Sequence, residues 1–145
     1  MCEDLEYVET INQAFNEENV PKGFVYGKKF TNANILRVEA GTNTPCGGDG
    51  GHGGRTVLRL MDLGGTCWDI EISVNERKYR IESPDSIEIK LYGDAEAETL
   101  AQALEFAAKI LRKQINHRIE LRRLIRIVEA ILKSGKDALD EMEVI

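Results

Sequence analysis

Between residues 24 and 92 apolar and polar residues alternate, and from residue 94 onward the apolar residues recur every three or four positions. That change of period constrains the fold more than any other feature. ILRVEA (35–40), TVLRLMDL (56–63), CWDIEISV (67–74), KYRIES (78–83) and SIEIKLY (86–92) each alternate, as strands with one buried and one wet face do. VNERKY reads as a hairpin connection, and SPDS supplies Pro-Asp turn chemistry between two more strands.

Gly93-Asp94 then opens a helical pattern. Asp94 can cap the first amides, and Glu96 and Glu98 suit the positive end of the helix dipole. Leu100, Leu104, Ala107 and Leu111 form one stripe; the phase shifts around Asn116-His117, and Leu121, Leu124, Ile125, Val128 and Leu132 form a second before Gly135. The expectation is two C-terminal helices over 94–134, paired as a helical hairpin or running on as one bent helix. At the other end Leu5, Val8, Ile11 and Phe15 have helical spacing, which predicts an amphipathic acidic helix within residues 1–20. The predicted fold class is therefore α+β. It comprises a short N-terminal helix, an antiparallel sheet of four to six strands over 24–92, two helices over 94–134, and a tail over 136–145.

The chain has 145 residues, of which 42% are hydrophobic, enough for a single domain with one core. The two helical stripes are wider than one sheet can bury, so self-association is expected, most simply by two-fold contacts. Three cysteines without repeated spacing suit a reducing cytoplasm. No apolar run reaches ~18 residues, so the expectation is a cytoplasmic protein with no membrane partner. A net charge of −6 argues against long nucleic acid as a partner. Positive charge is nevertheless concentrated: residues 109–126 hold seven Lys and Arg (Lys109, Arg112, Lys113, Arg118, Arg122, Arg123, Arg126) against Glu120 alone. Such a stretch can hold a compact anion. Its structural alternative is a solvated face paired with the acidic N-terminal segment.

The stretch PCGGDGGHGGRT (45–56) is the candidate site. Glycines let successive backbone amides converge on phosphate oxygens, and Arg55 with Thr56 could add a charged fork. The stretch matches neither GxxxxGK[ST] nor a GxGxxG between strand and helix. Metal binding by Cys46, Asp49 and His52, with Asp62 or His117, lacks the usual two ligand pairs. Thiol catalysis by Cys46 or Cys67 with either histidine lacks a framing signature. A flexible connection would favour Ser beside Gly, whereas Cys, Asp, His and Arg are interspersed here. No metal, cofactor or catalytic group is expected.

The segment VEAGTNTPCGGDGGHGGRTVLRLMDL, within an antiparallel sheet followed by helices with arginines, resembles the first-named class of Thoeris anti-defence proteins. The resemblance covers roughly residues 34–133. It implies a phage protein that acts as a sponge for immune signalling nucleotides of Thoeris and CBASS defences: cyclic ADP-ribose isomers, cyclic dinucleotides or cyclic trinucleotides, bound without cleavage by homo-oligomers from dimer to hexamer. It implies ligand contacts by Gly47, Gly48, Gly50, Gly51, His52, Gly53, Gly54, Arg55 and Thr56, with Lys109, Arg112, Lys113 and Arg118 as the basic candidates from the helices. Arg55 would be the main phosphate clamp. Phe24, Tyr26, Tyr79 and Tyr92 are the aromatics that could stack on a base. The alternatives are a metal- or histidine-dependent hydrolase of similar nucleotides and a protein-interaction inhibitor acting through its helices.

Overall fold

The computed structural model describes residues 5–143. The elements run β1 (Glu6–Thr10), α1 (Ile11–Phe15), β2 (Phe24–Thr31), β3 (Ile35–Thr42), β4 (Arg55–Gly64), β5 (Asp69–Val74), β6 (Arg77–Glu82), β7 (Ser86–Tyr92) and α2 (Asp94–Glu143). Five strands form an antiparallel sheet in the order β1-β2-β3-β4-β7, and β5-β6 is a separate hairpin. Residues 1–100 and 101–145 form two compact units. The α+β reading and the antiparallel strands are as the alternation indicated.

The hairpin turn is Asn75-Glu76, both at positive φ, the geometry in which a two-residue loop matches strand twist. Ile70, Ile72, Tyr79 and Ile81 share one of its faces by register, and Trp68 at its base donates Nε1–H to the Pro84 carbonyl at 2.7 Å.

Two expectations are corrected. Residues 6–10 are an edge strand instead of part of a helix. Thr10 ends the strand and caps α1, accepting from the Gln13 amide while the Gln13 side chain accepts from the Thr10 amide. Extended backbone carries Glu6 and Glu9 to arginines of the sheet, contacts that outweigh a weak helical pattern. Residues 1–4 lie outside the described part. Second, the two C-terminal helices are one helix of 50 residues. Asn116-His117 and Gly135 interrupt its apolar surface but do not stop it: a mid-helix glycine costs only about 1 kcal/mol, far less than a proline. The tail, for which the sequence leaves helix and fraying equally open, continues that helix over 136–143.

The two faces of the sheet differ. On one, Ile11 of α1 packs on Val25 and Val57, all fully buried, with Val8, Ala14 and Phe15 around them. Beside this core runs a charged row. Glu6, Gly27, Glu39, Arg59 and Glu88 are successive register partners across all five strands. Glu39, only 7% exposed, accepts from Arg37 and Arg59; Arg37 also reaches Glu6, and Arg59 reaches Glu9 and Glu88. Gly27 makes this possible, because a Cβ there would collide with the Arg37 guanidinium and the Glu39 side chain. The hydrogen bond from Arg59 holds the Glu88 carboxyl below its usual range. The opposite face is apolar and aromatic, and Tyr7, Phe24, Tyr26, Phe30 and Ile89 on it stay substantially exposed. Among the described residues no helix is long and apolar enough to cross a membrane.

Removing one cation from the row leaves Glu39 buried with half its compensation. Arg59→Leu should lower the unfolding free energy by about 3 kcal/mol in chemical denaturation, with Arg59→Lys recovering only part because one ammonium cannot fork to three carboxylates.

Candidate functional site

The glycine-rich loop connects β3 to β4, and its amides do converge on an anion. That anion is the protein's own. The Asp94 carboxylate, at the start of α2, accepts from the Cys46 amide at 2.9 and 3.0 Å, the Gly47 amide at 2.7 Å and the Gly54 amide at 2.8 Å. The clasp is reciprocal. Asp94 donates its own amide to the Gly48 carbonyl, and the Asp49 carboxylate accepts from the Ala95 amide at 2.6 Å, satisfying a helix N-terminal donor. Gly50 donates to the Glu96 carboxylate at 3.2 Å, and Gly93 donates to the Gly54 carbonyl.

The density of glycine follows from this closeness. Gly53 has φ +82°, and a Cβ there would strike the Gly48 carbonyl, so no other residue fits without moving the loop. The amide of Cys46, followed by those of Gly47 and Gly54, holds the Asp94 carboxyl below its ordinary range; partial desolvation opposes them and loses.

Arg55 faces inward. Its guanidinium lies 3.2 Å from Glu17, 4.9 Å from the Tyr92 ring centroid, and against the Gly53 carbonyl. Tyr92 in turn meets Phe15 edge-on at 5.5 Å. Thr56 shares its hydroxyl with Thr42 at 2.8 Å. Of the loop residues expected to meet a ligand, Gly47, Gly50, Gly54, Arg55 and Thr56 thus have partners within the protein, Gly48 lends its carbonyl to Asp94, and Gly51 donates to Tyr92. The amide of His52 donates to the Asp49 carbonyl, and this residue is exposed. Cys46 donates its thiol to the Asn43 carbonyl, and among the described residues no three His, Cys, Asp or Glu side chains gather as a metal site would require.

The basic candidates lie along α2. Successive residues of a helix are rotated by about 100°, so Lys109, Arg112 and Lys113, spaced three and four apart, share one face, while Arg118, nine positions past Lys109, lies half a turn away. Arg123 returns to the Lys109 face. Within residues 109–126 the one ion pair among the described residues is Arg123–Glu120, at 3.8 Å. Arg37, Arg55 and Arg59, in contrast, are all neutralised by carboxylates.

The role of Asp94 was hidden in the sequence because a helix-capping aspartate and a glycine loop 40 residues earlier look like two separate signals. Comparison with known protein families, curated proteins and solved structures found no match.

The depressed ionisation of Asp94 gives a pH test. Its ionic contribution to stability is complete above the unfolded carboxylate range, about pH 4, and fades as pH falls through the lower folded-state value. Asp94→Asn should melt below wild type near neutral pH, and that difference should shrink in acid below pH about 4, as read by thermal denaturation across pH.

Proposed function

We propose that the protein binds and sequesters, without cleaving it, a small cyclic signalling nucleotide: a cyclic ADP-ribose isomer or a cyclic di- or trinucleotide. In biological terms it is a phage anti-defence sponge acting as a homo-oligomer in the host cytoplasm, the role that its loop segment resembles. The observation that carries this reading is the unneutralised basic face of α2. Lys109, Arg112 and Lys113 present a compact cluster of cations, without intrachain ion pairs among the described residues, in a chain of net charge −6. Two or three phosphates held in one small ring are the matching anion, compact enough to be met by three adjacent side chains.

The loop contributes differently from the expectation above. With Asp94 in the ring of amides and Glu17 on Arg55, the stretch from Gly47 to Thr56 serves first to fix the start of α2, and phosphate contact falls mainly to the helix. Sequestration requires no nucleophile or general acid, and the reading assigns none.

The test is retention. The purified protein is mixed with a panel of cyclic ADP-ribose isomers and cyclic di- and trinucleotides, filtered, heat-denatured, and both fractions are weighed by mass spectrometry. The expected result is depletion of a panel member from the filtrate and its intact release on heating. The Arg112→Ala, Lys113→Ala double variant should weaken retention at least tenfold, since two charge-assisted contacts are removed. Release of an altered nucleotide establishes a hydrolase instead, and failure to retain any panel member removes the reading.

A further inference from the structure

The continuous α2 has a property that two separate helices would not. Apolar residues recur alternately four and three positions apart at Leu121, Ile125, Val128, Leu132, Leu139 and Met142, with Gly135 in step. Followed backward, the same steps reach Arg118, Gln114 and Leu111. This is a heptad seam of constant phase, apolar from Leu121 to Met142 but for Gly135 and polar at Gln114 and Arg118, and it lies on the side of the helix away from Lys109, Arg112 and Lys113. The seam is open to solvent: Leu132 is 66% exposed and Leu139 61%. Apolar exposure on this scale, in a regular stripe, marks a surface that associates.

We propose that the seam pairs antiparallel with the α2 seam of a second copy of this chain, centred between residues 126 and 127. The alignment is selected by size and charge. In an antiparallel pair the two heptad seam positions face each other in mixed layers, and the positions just past the seam flank their counterparts. Centred there, Ile125 meets Val128 of the second copy, Leu121 meets Leu132, and Arg118 meets Gly135. The missing side chain of Gly135 gives the arginine stem room to lie along the seam and carry its charge out to water.

Charge then excludes the neighbouring alignments. In this one Arg122 flanks Glu129 of the second copy, and by symmetry Glu129 flanks Arg122. Sliding the pair by one heptad sets Arg122 against Arg122 in one direction and Glu129 against Glu129 in the other. A parallel pair stacks Arg118 directly on Arg118 within the seam, where like charges are least screened. The antiparallel pair leaves Lys109, Arg112 and Lys113 facing outward, so it stands whether or not a nucleotide binds there.

Spin labels in the ligand-free, full-length protein test both the partner and its direction. Cys2, Cys46 and Cys67 are replaced by Ser, and Ala130→Cys or Asn116→Cys carries the label; both positions lie outside the seam. At a rise of 1.5 Å per residue, the two labels are offset along the pair by about 10 Å at position 130 and about 31 Å at position 116. The expected result is a two-copy particle, or a multiple of two, with a clearly longer label distance at 116 than at 130. Equal distances at the two positions would mean a parallel pair, and a monomer without dipolar coupling would mean no pair; either overturns the proposal.

Discussion

One carboxylate organises the candidate site. Asp94 sits where the sheet ends and the helix begins, and three amides of a loop 40 to 48 residues earlier close around it. A helix N-terminus already favours negative charge, and a ring of glycine amides favours it again, so a single aspartate satisfies both. The consequence reaches beyond the loop. With the amides engaged and Arg55 tied to Glu17, the polar groups of the loop are met within the chain, and the clasp between Asp49, Asp94 and the loop amides holds the start of α2.

The same economy of charge governs the sheet. Its core is small, three fully buried side chains around α1, and much of the remaining face is a row of alternating carboxylates and guanidinium groups. Such a row is specific more than it is strong: each partner must find its register, and removing one leaves another exposed to desolvation without compensation. Gly27 leaves room for the Arg37 guanidinium, which reaches across it to Glu6 of the edge strand β1. The apolar face opposite carries half-exposed aromatics, and α2 likewise carries exposed apolar side chains among the described residues.

Much of the architecture was legible. Alternation marked the strands that follow residue 34, Asn75-Glu76 announced a tight hairpin, and Asp94 with Glu96 marked the start of α2. What escaped reading was long-range or cumulative. Leu5, Val8, Ile11 and Phe15 have helical spacing, yet strand pairing of residues 6–10 brings Glu6 and Glu9 to arginines that lie more than 30 positions away. Asn116-His117 and Gly135 look like helix ends because their residue types favour turns, but neither carries proline's steric veto, and strong helix formers on both sides carry the helix through. The glycines marked residues 45–56 as a loop whose amides could converge on an anion. That Asp94 would meet them was not legible, since nothing local to residues 45–56 distinguishes a phosphate from a carboxylate supplied by residue 94.

Asp94 fills the amide ring from within, and under the proposed function an added nucleotide therefore meets the protein on α2. Amide-resolved NMR during titration with the retained nucleotide tests it most directly. The expected result is that shifts concentrate at Lys109, Arg112 and Lys113, while the amide resonances of Cys46, Gly47 and Gly54 keep their positions. Large shifts at those three loop amides, with the helix unmoved, would mean that the ligand displaces Asp94, and the claim would fail.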